Sequence, residues 1–247
     1  GAGAGQAGEM VYLSGTSEIL GTSSPHVAGT AGIIVFPDVG GMRLHAGPTQ
    51  SGGASQMWFC AAAGIDISTL SQRLLDTPRR RPTPLFLPQL AGERAPLWNP
   101  NLRGAFLGLD GGMGATDLAR AVLEGVAMSA RHVLGAISAS SGVDAAVLKC
   151  GGGGFASAAW GQIRSDVLNK SLTRLAAGEP GLVGAAALAA FGAGGHSTLA
   201  GAQAQFAKYD MIWHPNPDNR ALYDDLFGIY IDAIAANDAV GRRIAQL

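Results

Sequence analysis

Charge is scarce in this 247-residue sequence: Asp, Glu, Lys and Arg make up 14% of it, and 17 basic residues against 18 acidic ones leave a net charge of −1. Such a balance offers no electrostatic footprint for nucleic acid and no polybasic anchor for a membrane surface, so the expected partner is a small molecule. Cysteine is nearly absent. Cys60 and Cys150 stand far apart, with no CxxC pair and no histidine cluster at metal-ligand spacing, which fits a reducing cytoplasm, two buried thiols and no protein-held metal. No apolar run approaches the ~20 residues that span a bilayer. The longest candidate, around Leu182 to Phe191, is short and rich in Ala and Gly. The opening GAGAGQAGEM has neither the basic n-region nor the apolar h-region of a leader, and it reads as the start of an excised piece of something larger. Two motifs are also lacking. Without GxxxxGK[ST] there is no P-loop, and without GxSxG there is no nucleophile elbow.

Glycine, by contrast, is abundant, and its placement is informative. Gly3, Gly5 and Gly8 satisfy GxGxxG, but that fingerprint needs a strand before it and a helix after it, whereas MVYLSGTS follows and is strand-like; a nicotinamide site is not expected there. Gly151 to Gly154 sit between a strand-like run, Ala145 to Cys150, and a helix-like run, FASAAWGQIRSDVLNK. A glycine run at a helix start leaves backbone N–H groups uncovered, so a flat or anionic ligand can approach the main chain. Ser14-Gly15-Thr16-Ser17, between two strand-like stretches, can donate amide and hydroxyl hydrogens to phosphate oxygens, or it can be an ordinary hairpin turn.

The periodicities predict a strand-rich opening followed by alternation. Strands are expected at Met10 to Leu13, Ile19-Leu20, Ile33 to Phe36 and Met42 to His45, then helices over Gly53 to Ala63 and Ile65 to Asp76, the latter starting near Ser68 or Thr69. Leu85 to Leu87 and Gly104 to Leu109 are extended, with the long irregular segment Pro88 to Arg103 between them. A helix capped by Thr116-Asp117 is expected to run to about Ile137, and others to cover Ala156 to Leu168 and Leu182 to Phe191 behind Pro180. Leu172 to Leu175 is a further strand candidate. Asn219 to Leu247 reads as one or two surface helices, whose apolar faces leave room for a homodimer. The whole is an α/β domain with a mixed β-sheet flanked by helices.

Several charged groups have bland readings. Arg79-Arg80-Arg81 reads as a solvated loop, Glu93 and Arg94 as an ion pair pinning their loop, and Glu124 and Asp166 as hydrogen-bonding helix residues. The five histidines show no ligand spacing, and Trp58, Trp98, Trp160 and Trp213 read as core or interface residues, Trp160 as a buttress of the glycine loop.

GAFLGL from Gly104 to Leu109, followed after seven residues by DLARAVLE from Asp117 to Glu124, resembles the second signature of the FGGY carbohydrate kinases. SGTS, PLFLPQLAGERAPLWNPNLRGAFLGL, CGGGGFASAAWGQIRSDVLNK and GLVGAAALAAFGAGG follow the family's order over essentially the whole chain, and are most similar to the stretches of its xylulokinases. The resemblance implies an actin-like, ribonuclease H-like ATPase fold, with residues 1–247 as the C-terminal nucleotide-binding domain and the sugar-binding N-terminal domain outside this sequence. It implies ATP and Mg²⁺ as cofactors and transfer of a phosphoryl group to a ketopentose such as xylulose. Ribulose, gluconate, glycerol or erythritol are alternative acceptors, and a non-catalytic nucleotide-binding scaffold is the rival reading. Residue by residue, it places Gly15, Thr16 and Ser17 at a phosphate turn, Gly53 against the nucleotide, Gly152 and Gly153 in the adenosine loop, and Ser157 where glycerol kinases have asparagine. The general-base aspartate is expected roughly seven residues before Gly1, so that neither Glu9 nor Glu18 takes its place.

Overall fold

A computed structural model of the chain describes residues 1–26, 29–80, 82–244 and 246. Met10–Ser14 (β1) and Glu18–Ser24 (β2) form the expected antiparallel hairpin around Gly15-Thr16-Ser17. Alternate β1 side chains, Met10, Tyr12 and Ser14, are buried on one face. Ile34–Val35 (β3) and Arg43–Pro48 (β4) extend the sheet on the β2 side, both antiparallel. Val147–Gly151 (β7) joins β1 on the other side in parallel, followed by Ser171–Leu175 (β8) in parallel and Tyr209–Trp213 (β9) antiparallel. The seven strands run β3-β4-β2-β1-β7-β8-β9, a mixed sheet as expected. A separate hairpin of Leu85–Leu87 (β5) and Ala105–Leu107 (β6) brackets the long irregular segment.

Gly53–Ala63 (α1), Ile67–Asp76 (α2), Ala115–Ser141 (α3) and Ala158–Leu168 (α4) join the hydrophobic core that Met10, Tyr12, Leu20, Leu148 and Cys150 supply from one sheet face. Pro180–Gly192 (α5) and Leu199–Phe206 (α6) stand over Val11 and Leu13, which point to the opposite face. α3 begins at Gly114, whose N–H donates to Asp117 Oδ2 at 2.9 Å, so Asp117 works from inside the first turn and not as the cap. The helix runs one turn past Ile137 and stops at Gly142 in the left-handed region. Ser68 and Thr69 lie in the first turn of α2 as expected, and Asp66 caps the helix by accepting from Thr69 N–H at 2.9 Å. The tail is a single helix, Arg220–Ile244 (α7), with Tyr223 and Tyr230 buried. Trp160 and Trp213 belong to the core, whereas Trp58 and Trp98 are exposed.

Glu124 and Asp166 are hydrogen-bonding helix residues as expected, whereas the arginine triplet and Glu93–Arg94 differ from their expected roles. Arg79 is half-buried and donates to both carboxylate oxygens of buried Glu124 at 2.8 and 3.1 Å, and Tyr223 adds a third donor at 3.0 Å. Arg80 lies against Asp110, and Arg81 lies outside the described residues. The triplet is therefore no single solvated patch. Glu93 and Arg94 do not pair with each other. Glu93 is buried and accepts from Gln50 N–H at 2.5 Å, Arg94 N–H at 3.0 Å and Ser129 Oγ at 3.1 Å, while the Arg94 guanidinium donates to the Thr49 carbonyl. Together they tie the irregular segment to the β4–α1 connection and to α3. Asp166 accepts from Gln162, Asn216 N–H and Asn219, each at 2.8 Å, and holds the approach to α7.

Arg164 and Glu18 form the deepest charged pair. Both side chains are 0% exposed, with Arg164 Nη2 2.6 Å from Glu18 Oε1. The same nitrogen donates to Ser14 Oγ at 2.7 Å, and Nη1 donates to the Gly154 carbonyl at 2.6 Å. The guanidinium lies 3.6 Å from the Trp160 ring centre and 4.5 Å from that of Phe155. Tyr12 Oη donates to Glu18 at 2.6 Å; burial, and then the charge of Glu18, holds that phenol protonated well above its ordinary range. One cluster thus binds β1, β2, the glycine loop and α4.

Two outcomes follow for stability. Arg164→Met leaves Glu18 buried without its cation and is expected to cost about 3–5 kcal/mol in urea denaturation, whereas adding Glu18→Leu to it is expected to recover part of the loss. Burial pushes the Glu93 carboxyl above its ordinary 4.5, against the pull of its N–H and hydroxyl donors. The folded state therefore favours the protonated form, and its contribution is present below about pH 4.5 and lost as pH rises through the raised value. Glu93→Gln does not titrate, so wild type is expected to lose stability relative to this variant as pH rises above about 4.5, read from urea midpoints.

Candidate functional site

β1 and β7 are parallel neighbours, with Leu13 opposite Gly151, so the turns that leave their C-terminal ends lie side by side. The carboxyl edge of parallel strands is where α/β sheets bind ligands, because the chain there turns away and leaves a crevice. Between the turns lies a groove of about 440 Å³, lined by Ser14 to Ser17, Gly152, Gly153 and, from the start of α5, Glu179 to Gly181.

The first turn is held from behind. Gly15 N–H donates to the Ser17 carbonyl at 2.9 Å, while the Gly15 and Thr16 carbonyls accept from Gly53 N–H at 2.9 Å and Ala54 N–H at 3.0 Å, at the beginning of α1. The carbonyls thus face α1. Among the described residues the N–H groups of Thr16 and Ser17 meet no protein acceptor, nor do their hydroxyls make a protein hydrogen bond, so all four donors are left for a ligand. A Cβ at Gly53 would stand 2.7 Å from the Gly15 carbonyl oxygen, so that residue must be glycine for the helix to approach the turn.

The second turn passes through Gly152 at φ 94°, where a Cβ would sit 2.4 Å from the Ser14 carbonyl oxygen. Only glycine allows this conformation together with this approach of the two loops. Gly153 is exposed, and a Cβ there would meet nothing within 4 Å. Gly153 opens a short 3-10 turn through Phe155, and Ser157 caps α4 by accepting from Trp160 N–H at 3.3 Å. Beneath both turns, the Arg164–Glu18 cluster grips Ser14 Oγ and the Gly154 carbonyl and so fixes the groove's width.

Of the seven residues the sequence singled out, Gly15, Thr16, Ser17, Gly152 and Gly153 meet around the groove. Gly53 and Ser157 do not line it: one supports the first turn from behind, and the other is occupied as a helix cap within 3.5 Å of Ser71 Oγ on α2. Ser14 belongs to the expected turn, Glu18 is named in the sequence only as not replacing the general base, and Arg164 and Glu179 are additions of the structure. Arg164 carried a signal, since it shares a helix face with Trp160, Val167 and Leu168, all buried. A lone charge on such a stripe implies a buried partner.

Comparison with known proteins bears on this arrangement. The chain is 36% identical over 146 residues to a xylulose kinase of Staphylococcus epidermidis, covering 59% of this chain and 29% of that protein. It is 29% identical over 253 residues to a xylulose kinase of Lactococcus lactis, covering 99% of this chain and 50% of that one. In three dimensions it superposes on a gluconate kinase of Lactobacillus acidophilus with a TM-score of 0.86 at 25% identity, covering 96% of this chain and 49% of that structure. The chain thus spans half or less of the length of these relatives, and its fold is the actin-like ATPase fold of their kind. Residues 10–193 match the profile described as the C-terminal domain of the FGGY family of carbohydrate kinases, and the chain belongs to that family.

Proposed function

We propose that residues 1–247 are the nucleotide-binding domain of an ATP-dependent sugar kinase, which transfers the γ-phosphoryl group of ATP to a hydroxyl of a ketopentose such as xylulose. The observation that carries this reading is the meeting of two glycine turns, with unspent N–H and hydroxyl donors, at the carboxyl edge of the parallel pair β1 and β7. The residues fit such a ligand. Thr16 and Ser17 present four donors to phosphate oxygens, and the bare backbone at Gly152 and Gly153 lets a flat base or ribose lie against the chain.

ATP supplies the transferred phosphoryl group, and Mg²⁺ screens the charge of its phosphates. No group of three or more His, Cys, Asp or Glu able to hold a metal occurs among the described residues, so the ion would come in on the nucleotide. This chain's part is to grip and orient: the first turn fixes the phosphates, the second fixes the nucleoside side, and the cluster behind them prevents either from moving alone. The sugar and the aspartate that takes its proton are assigned to the part of such kinases that this chain does not span. A cytoplasmic location is supported by the two buried free cysteines, Cys60 and Cys150. Likeness to a gluconate kinase supports a sugar acid as the second candidate acceptor.

Two variants separate binding from folding. Gly153→Phe projects into open space and is expected to keep the wild-type Tm while weakening ADP binding at least about tenfold by calorimetry. Gly152→Ala strains the backbone and clashes with Ser14, and is expected to lower the Tm as well as the affinity. With the full-length protein, ATP and a panel of xylulose, ribulose, gluconate, glycerol and erythritol, the highest kcat/KM is expected for xylulose; failure to phosphorylate any of them would overturn the kinase reading.

A further inference from the structure

The groove has an unexpected charge composition for a polyphosphate site. Among the described residues its lining contains no lysine, arginine or histidine, and the one charged residue there is an acid, Glu179. The Arg164 guanidinium beneath the loops offers no net charge either, because Glu18 neutralises it at 2.6 Å. Among the described residues, backbone N–H groups and the Thr16 and Ser17 hydroxyls therefore meet the phosphates without a side-chain cation.

Glu179 immediately precedes α5 and is exposed. Its carbonyl accepts from Leu182 N–H at 3.1 Å and Val183 N–H at 3.3 Å, but its carboxylate forms no hydrogen bond or ion pair among the described residues. The helix is begun by Pro180 and by the backbone, so the carboxylate is not needed for it. A carboxylate set against a bare triphosphate is repelled; set against a divalent cation riding on that triphosphate, it is attracted. An acid in this position turns the metal into a condition of binding.

We propose that Glu179 faces the divalent cation carried by the nucleotide, so that the groove selects metal-loaded nucleotide and disfavours the bare polyphosphate. The inference rests on the nucleotide reading above, and the two can fail separately. Its signature is a ratio of affinities, which a merely structural role would not move.

The test is calorimetric titration of ATP into the 247-residue chain, in excess Mg²⁺ and in EDTA, for wild type, Glu179→Gln and Glu179→Asp. The wild type is expected to prefer the Mg²⁺ condition, and in Glu179→Gln that preference is expected to fall about tenfold, bare ATP binding more tightly and Mg-ATP more weakly. Glu179→Asp keeps the charge and is expected to retain most of the preference. Melting temperatures are expected to agree among the three, and a fall in Tm for Glu179→Gln would overturn the premise that the carboxylate is free. Equal preferences in wild type and Glu179→Gln, or equal weakening of bare and Mg-ATP by the substitution, would overturn the proposal while leaving the nucleotide reading intact. Absence of ATP binding by the wild type under both conditions would overturn that reading and this proposal with it.

Discussion

The contact between Arg164 and Glu18 is the joint on which the rest of the site depends. Two charges without solvent access each lose several kcal/mol of hydration, and the pair persists only because nearly every polar atom finds a partner. Glu18 receives Tyr12, Ser14 and Arg164; the guanidinium reaches Ser14 and the Gly154 carbonyl and rests on aromatic faces, with only Nε left unpartnered. A hydrophobic replacement could fill this space with equal stability, but it would not dictate where the two loops stand. The pair spans 146 residues of sequence and converts two separate turns into one surface with a defined gap.

Much of the fold is legible in the sequence because its local signals agree. The hairpin turn at Gly15, the helix that carries Leu118 to Ala130, Pro180 at the head of α5 and the strand before the glycine run each combine periodicity with punctuation. What escaped lacked one of these. β9, Tyr-Asp-Met-Ile-Trp, alternates weakly and lies at the sheet edge with four of its five residues exposed, while α6 is only eight residues long, with small and polar side chains between Leu199 and Phe206. α3 could be placed, but its start depends on a backbone cap at Gly114 that no side chain announces.

The site was legible in part, and the line falls between what touches a ligand and what supports it. Residues whose special property is the lack of a side chain, such as Gly152 and Gly153, are visible as letters. Gly53 is equally visible, but its reason lies in a carbonyl 2.7 Å behind it and not in the groove. Glu93 and Arg79 have roles set by partners far along the chain, Gln50 and Glu124, and such pairings exist only after folding. Likeness to a family carried the residue positions further than spacing did, yet it too could not distinguish a lining residue from a supporting one.

The hydrogen bonds from α1 to the Gly15 and Thr16 carbonyls have a consequence for entropy. They set the tilt of the peptide planes before any ligand arrives, and among the described residues the groove offers no long cationic side chain that must be stilled on contact. A lysine or arginine surrenders roughly 2 kcal/mol of rotamer freedom when it is immobilised. Here that loss was incurred during folding, by a backbone already fixed between a strand and a helix. Affinity in such a site is governed by the stiffness of the scaffold, and softening α1, which stands behind the turn and outside the groove, would weaken binding without removing a single donor.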